Sequence, residues 1–184
     1  MRELGRQAVH LLFGLGIASV LLIPVPGVAS KIYAAFLIAG LVIAEALLHG
    51  RHVPIFSEVV GAFERKETFP GKGAAYFVAG ALFSSIFFTP GTAFVAVLSL
   101  AVLDSAATVV GITCGRHPLV NGRTLEGSVG GFLALAAVLL FIMPPLPALI
   151  AAAAAMLAEL LSPVDDNLVI PPVVGAVLTL LPCS

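Results

Sequence analysis

Residues 91–112 of the chain read GTAFVAVLSLAVLDSAATVVGI, an apolar segment long enough to cross a bilayer as one helix. Asp104 is the one acidic or basic residue within it. The whole chain has a similar character, with 60% hydrophobic residues, 10% charged residues and a mean hydropathy of +1.13. So little polar surface cannot cover a water-soluble globule of this size. The composition therefore predicts an integral membrane protein.

Apolar runs between polar or Pro/Gly-rich breaks predict an all-α polytopic membrane bundle with about seven transmembrane helices. The predicted spans are 8–24, 30–49, 74–89, 91–112, 128–144, 146–161 and 168–183. We expect a single transmembrane domain over residues 1–184, because no room remains for a separate soluble domain. Tight turns alternate along the chain with two longer polar segments, 50–73 and 113–127. Both longer segments are therefore expected on the same side of the membrane as the N-terminus.

The basic residues give the orientation through the positive-inside rule. Lys31 is predicted at the outer face, and the other basic residues are predicted at the N-terminal face. These are Arg2, Arg6, Arg51, Arg65, Lys66, Lys72, Arg116 and Arg123. The N-terminus is therefore expected in the cytoplasm, in a multi-pass protein of the cell membrane. The acids and histidines are predicted at or near the same face, which leaves the outer face almost without ionisable groups.

Several classes of function are excluded by composition and by missing motifs. The net charge of −1, without a long Lys/Arg run, gives no reason to expect nucleic acid as a partner. Cys114 and Cys183 are too few for a disulfide framework or a zinc site. No GxxxxGK[ST], GxGxxG or HExxH motif is present, which excludes the usual soluble nucleotide folds and zinc proteases. A transporter needs polar groups towards both faces, so the distribution favours a reaction at one surface.

Two apolar spans carry ionisable residues in positions that favour function. Glu3, Arg6 and His10 are spaced by three and four residues, which places them near one helical face. An interfacial arginine such as Arg6 can also be a snorkelling anchor, but His10 lies inside the apolar run. Asp104 should be protonated, paired or bound to a metal, because isolated ionisation in an apolar helix is costly.

Basic and hydroxyl residues near the polar segments suit phosphate binding. Arginines supply positive charge, and the N-terminus of a helix with Gly-flanked hydroxyls supplies backbone N–H donors. An ordinary basic loop with a Thr/Glu helix start, or a snorkelling lysine, would give the same pattern. The candidate phosphate contacts are Lys72, Arg116, Arg123, Thr124, Gly127 and Ser128.

Acids near the ends of the later spans suit a divalent cation. Glu126 could complete a Mg²⁺ site, since that ion takes one or two carboxylates together with substrate phosphates. Glu159 and the run Asp165-Asp166-Asn167 also suit a hard cation. Asp and Asn pairs are equally good formers of turns and helix caps, so both interpretations stay open.

In their order along the chain, these motifs resemble the CTP-dependent polyprenol kinase family. That family includes dolichol kinase, phytol kinase and the yeast-type diacylglycerol kinase, and is distantly related to phosphatidate cytidylyltransferases. The resemblance covers almost the whole chain and rests on Glu3-x-x-Arg6-x-x-x-His10, Lys72-Gly73, Asp104-Ser105-Ala106-Ala107 with Gly111 and Gly115, Arg123-Thr124-Leu125-Glu126-Gly127-Ser128, Glu159 and Asp165-Asp166-Asn167-Leu168. The chain departs from the family pattern at Gln7, at Leu103 and at Arg123-Thr124, where the family often has Lys, Gly, and Lys-Thr or Lys-Ser.

The resemblance implies transfer of the γ-phosphoryl group of CTP to the hydroxyl of an isoprenoid alcohol or a glycerolipid, with Mg²⁺, at the cytoplasmic face. The implied catalytic residues are Asp104, Glu3 and His10. The implied metal ligands are Asp104, Glu126, Asp165 and Asp166. The implied phosphate contacts are Arg6, Lys72, Arg116, Arg123, Thr124, Gly127 and Ser128. Glu159 and Asn167 belong to the motifs without an assigned role.

Two other functions remain as alternatives. A CDP-lipid synthase of the cytidylyltransferase type would join CTP to a phospholipid acid with release of pyrophosphate. A small membrane transporter would bind no nucleotide and would need polar access from both faces. Small-residue faces such as Ala75–Ala79 could pack within one chain or between two, so a homo-oligomer is also open.

Overall fold

The computed structural model of the protein describes residues 2–54, 56–58 and 69–181. Within these residues the chain forms seven α-helices and one turn of 3-10 helix at Val120–Gly122, and no strand. The helices are α1 Arg2–Val20, α2 Val28–Leu48, α3 Lys72–Phe87, α4 Pro90–Cys114, α5 Leu125–Leu140, α6 Pro145–Leu161 and α7 Asp166–Leu180. The prediction of an all-α chain is confirmed, and each predicted span overlaps one of these helices.

Among the described residues, helix length and composition together support two of the seven predicted spans. By length and composition, α2 and α4 can cross a membrane. Four of the other helices have 15, 16 or 17 residues. At about 1.5 Å per residue they are shorter than the roughly 30 Å of a hydrocarbon core. The predicted spans over 128–144 and 168–183 ran past the ends of α5 and α7, and Arg65, Lys66 and residues 182–183 lie outside the described residues.

α4 lies at the centre of the bundle. It packs against α1, α3, α5, α6 and α7, and many of its apolar side chains are buried, with Leu100 and Leu103 fully so. α2 packs mainly on α3, and only Tyr33 and Ala44 among its residues are buried. The hydroxyl of its buried Tyr33 donates to the carbonyl of Ile17 in α1 at 2.6 Å. The central position of α4 places Asp104 inside the bundle.

Small residues let neighbouring helices approach α4 and α3 closely. A Cβ added at Gly127 in α5 would lie 2.7 Å from the carbonyl oxygen of Ala107, and one at Gly131 would lie 2.8 Å from the Cβ of Ala107. A Cβ at Gly80 in α3 would lie 2.6 Å from the carbonyl oxygen of Asn167 in α7. Only glycine fits at such contacts without movement of a neighbour. These contacts hold the first turns of α5 and α7 against the helices that face them.

Candidate functional site

Residues 115–124 form a short hairpin between α4 and α5. Leu119 N–H donates to the carbonyl of Arg123 at 2.8 Å, and Leu125 N–H donates to the carbonyl of His117 at 2.9 Å. Asn121 has a positive φ of 57°, which Asn accepts more readily than most residues with a Cβ. The hairpin therefore has a fixed backbone course.

The side chain of Asn121 attaches this hairpin to the end of α6. Its Nδ2 donates to the carbonyl oxygens of Leu160 and Ser162, each at 3.2 Å. These carbonyls belong to the last turn of a helix, where no intrahelical N–H is available to them. The attachment brings Arg123, two residues later, next to Glu159.

Arg123 lies among three carboxylates from three different helices. Its Nη1 is 2.8 Å from Glu159 Oε1 in α6 and 3.6 Å from Asp104 Oδ1 in α4, and its Nη2 contacts Asp166 Oδ2 at the start of α7. One oxygen from each acid lies within 4.8 Å of the others. We call Asp104, Glu159 and Asp166 the acid cluster. An open cavity of about 200 Å³ beside it is lined by Asn121, Arg123, Glu159, Ser162, Val164, Asp165 and Asp166.

Negative charge exceeds positive charge in the acid cluster. Glu159 is 2% exposed, and among the described residues neither of its carboxylate oxygens has a hydrogen-bond partner. Burial acts to lower the pKa of Arg123, but the charges of Glu159, Asp166 and Asp104 outweigh it and hold that pKa above its ordinary value. One guanidinium cannot balance three carboxylates, and buried uncompensated charge is costly. A proton or a further cation must supply the difference, and carboxylate oxygens are ligands that hard divalent cations accept.

His10 reaches the acid cluster from α1. Its Nε2 lies 3.3 Å from Asp104 Oδ2, and its ring packs edge-on against Phe77 with the centroids 5.3 Å apart. Arg6, one turn earlier, forms an ion pair with Glu3. Glu3 is therefore the partner of a basic residue, and His10 is the residue of this motif that contacts Asp104.

Gln7 also belongs to this end of α1. Its side chain is 4% exposed, and among the described residues its Oε1 has no hydrogen-bond partner. Its carbonyl accepts from Ser105 Oγ at 3.5 Å, next to Asp104 in the sequence. Gln7 was identified from sequence only as a departure from the family pattern.

The remaining predicted residues near α7 and α3 have structural partners. Asp165 caps α7, and its Oδ1 accepts from Asn167 N–H at 3.2 Å and from Asn167 Nδ2 at 2.8 Å. Lys72 Nζ lies over the Tyr76 ring, 5.5 Å from the centroid. The geometry favours the capping interpretation for Asp165 over metal ligation.

A carboxylate outside the acid cluster, that of Glu126, lies at the base of the hairpin. Glu126 Oε2 accepts from the backbone N–H groups of Arg116 at 3.0 Å and of His117 at 3.2 Å, and Oε1 lies 2.6 Å from His117 Nδ1. The hydrogen bond from the Arg116 N–H, with that from the His117 side chain, lowers the pKa of Glu126 to about 2. We call Glu126, Arg116 and His117 the Glu126 pocket. It opens on a cleft of about 410 Å³ that is also lined by Thr113, Cys114 and Gly115.

An uncharacterized protein of Methanocaldococcus jannaschii, MJ1137, is 32% identical to this chain over 185 residues. The alignment covers 97% of the chain and 93% of the archaeal protein. The chain belongs to the family of that protein. No protein-family profile matches the chain. No solved structure matches it significantly. Because the alignment covers nearly all of both proteins, their sequence similarity extends over the whole chain and not only over the hairpin region.

The structure brings five of the predicted site residues into contact and places five others elsewhere. Those that meet are His10, Asp104, Arg123, Glu159 and Asp166. Those that lie apart from the acid cluster, in the Glu126 pocket or in the first turn of α5, are Arg116, Thr124, Glu126, Gly127 and Ser128. Thr124 Oγ1 accepts from Gly127 N–H at 3.1 Å. The Thr124 side chain therefore caps α5, and the Gly127 N–H is bonded to it and not directed at a ligand.

Two residues that organise the site had no specific assignment from the sequence. Glu159 was predicted only as one of the acids that suit a hard cation, although, like Asp104, it belongs to an apolar run. Asn121 stands in an Asn-Gly pair, which predicts a turn but not the contact with α6.

Proposed function

We propose that this protein is an enzyme that transfers the γ-phosphoryl group of CTP to the hydroxyl of a membrane lipid, with Mg²⁺. The observation that carries the proposal is the acid cluster around Arg123, with His10 beside Asp104. Phosphoryl transfer needs positioning and neutralisation of phosphate charge, which metal-bound acids and an arginine can supply. The choice of CTP, and of an isoprenoid alcohol or glycerolipid as acceptor, follows the resemblance of the sequence motifs.

The proposal includes a multi-pass membrane bundle with the acid cluster at its cytoplasmic end. Support comes from large exposed apolar side chains on several helices, among them Phe36, Val42, Leu133 and Leu180. Apolar surface of this extent is unfavourable in water and suits contact with lipid. The shorter helices would span a locally thinned bilayer, with Lys72 and the hairpin at the interface.

In this proposal the acids hold Mg²⁺ and Arg123 holds phosphate. Asp104, Glu159 and Asp166 would be the ligands, and the oxygens of Glu159, which accept no hydrogen bond among the described residues, fit that task. When bound, Mg²⁺ would neutralise charge on the phosphate oxygens. His10 would accept the proton of the lipid hydroxyl. Asp104 Oδ2, 3.3 Å from Nε2, would hold a proton on that nitrogen, and Nδ1 would then be the nitrogen that acts as base.

The test is a transfer assay with purified protein in detergent and Mg²⁺. It offers γ-labelled CTP or ATP with polyprenols, phytol-like alcohols, diacylglycerols and dialkylglycerols. We expect label in a lipid with CTP, and loss of label in Asp104→Asn. Glu45→Gln is the matched control, since Glu45 is an exposed acid on α2 whose ion-pair partner among the described residues is His49, one turn away.

The same assay, repeated with a phospholipid acid as acceptor, separates the alternatives. Pyrophosphate and a CDP-lipid as products would identify a cytidylyltransferase. No labelled product with any acceptor, from protein shown to be folded, would contradict both enzymes. Transport into liposomes without nucleotide turnover would then identify a transporter.

A further inference from the structure

The guanidinium of Arg123 occupies the space that a cation must enter to contact the acid cluster. Its nitrogens already contact Glu159, Asp104 and Asp166. Those carboxylates also offer the oxygens that lie within 4.8 Å of one another. Mg²⁺ binds oxygen at about 2.0–2.1 Å, so an ion that binds the carboxylate oxygens facing Arg123 competes with the guanidinium for them. Entry of a divalent cation at those oxygens therefore requires Arg123 to move away.

A free cation that displaces Arg123 leaves a guanidinium without an anionic partner. The Arg123 side chain is 25% exposed, so the separated charge would be only partly hydrated, and it would stand next to a doubly charged ion. A cation that arrives with a polyphosphate avoids this cost, because the phosphate oxygens replace the carboxylates as partners of the guanidinium. The two ligands therefore assist each other.

The hairpin limits how far Arg123 can go. Asn121 attaches it to the carbonyls of Leu160 and Ser162, and Glu126 holds the N–H groups of Arg116 and His117 at its base. With the backbone fixed at both places, the guanidinium moves by rotation of its own side chain and stays beside the acids. A phosphate bound at the cation is thus within reach of Arg123.

We infer that the acid cluster and Arg123 together select a divalent cation complexed with a polyphosphate over the free cation or the free polyphosphate. This inference rests on the cation and phosphate site of the proposed function, but it does not depend on a lipid acceptor or on transfer. In this role Arg123 is the counter-ion of the acids when no ligand is bound. When the cation and polyphosphate bind, it becomes a phosphate contact.

The test is equilibrium dialysis of the purified protein in detergent with Mn²⁺ and inorganic tripolyphosphate, without lipid acceptor. Free Mn²⁺, free tripolyphosphate and their complex are all counted, so that association in solution does not distort the affinities. Wild-type protein should bind Mn²⁺ alone weakly, and at least about fivefold more tightly with tripolyphosphate, at the low end of usual coupling between ligands. Arg123→Gln should bind Mn²⁺ alone at least about fivefold more tightly than wild type and lose the gain from tripolyphosphate.

Two further variants serve as controls. Arg123→Lys keeps the charge and should bind Mn²⁺ alone as weakly as wild type, which keeps the test valid if Arg123→Gln does not fold. Lys31→Gln removes an exposed basic residue outside the site and should match wild type in both measurements.

The inference is overturned if wild type and Arg123→Gln bind Mn²⁺ equally, if neither binds it, or if the gain from tripolyphosphate survives in Arg123→Gln. The expected binding results without any labelled lipid would support the inference and contradict the proposed transfer reaction. Labelled lipid with unchanged coupling in Arg123→Gln would contradict the inference alone.

Discussion

The acid cluster and the Glu126 pocket flank the same hairpin, and each combines carboxylate with a basic residue. In the Glu126 pocket, one carboxylate accepts two backbone N–H groups and contacts the His117 ring, so its hydrogen-bonding capacity is used within the fold. In the acid cluster, three carboxylates share one guanidinium, and Glu159 has no hydrogen bond among the described residues. A satisfied carboxylate stabilises a loop, whereas buried charge in excess marks a place for a ligand.

Asp104→Asn should have the largest effect on the rate of phosphoryl transfer. If the proposed function holds, loss of a charge that would bind the metal and orient His10 should lower phosphoryl transfer by about 10²–10³-fold. Glu126→Gln should reduce the initial rate far less, because Glu126 has no contact with the acid cluster. The measurement is the initial rate with saturating CTP and lipid. Equal losses in the two variants would contradict the division into two regions.

Arg123→Gln and Arg116→Gln compare the two arginines of the hairpin directly. Removal of Arg123 should lower transfer by about 10²-fold, with most of the loss in kcat, because its phosphate contact strengthens in the transition state. Arg116 is exposed, and its backbone N–H, which binds Glu126, is unchanged in the variant. Arg116→Gln should therefore change kcat much less than Arg123→Gln. A larger loss in Arg116→Gln would move the phosphate site to the Glu126 pocket.

The helices were predictable from sequence, because apolar runs and Pro/Gly breaks report directly on helix bodies and turns. Thr89-Pro90 and Thr124-Leu125-Glu126 each begin a helix where capping chemistry predicts it. The number of spans was not predictable, because an apolar run does not reveal where a helix ends within it. Residues 141–143 are as apolar as α5, but they form a turn before Pro144.

The site was predictable only in part. Asp104 and His10 could be selected, because an ionisable residue in an apolar span needs a partner. The pairing of Arg123 with Glu159 could not be predicted, because it depends on the contact of Asn121 with the end of α6. Glu126 and Asp165 carry carboxylates, as metal ligands often do. Only their hydrogen-bond partners show that Glu126 holds the hairpin and that Asp165 caps α7.

Gly127→Ala should show whether the two regions depend on one helix crossing. A Cβ at Gly127 would lie 2.7 Å from the carbonyl oxygen of Ala107 in α4, so α5 must shift. Overpacking of this kind costs about 1–3 kcal/mol, measured as a loss of thermal stability in detergent. Gly16→Ala is the matched control, since its Cβ would meet nothing within 4 Å, and it should be neutral or stabilising. Equal stability of the two variants would mean that α5 adjusts without strain.

Glu126→Gln should have the smallest effect, and that effect should depend on pH. The pKa of Glu126 is lowered from 4.5 to about 2 in the folded protein, so its carboxylate stabilises the fold above pH 4.5 and loses that contribution as the pH falls towards 2. The unfolding temperature of wild type should therefore exceed that of Glu126→Gln near neutral pH, and the difference should shrink over that interval. Glu45→Gln controls for removal of an exposed acid beside a histidine. A difference that stays constant with pH would show that Glu126 acts through packing. The contrast between a satisfied carboxylate in the Glu126 pocket and excess charge in the acid cluster would then be wrong.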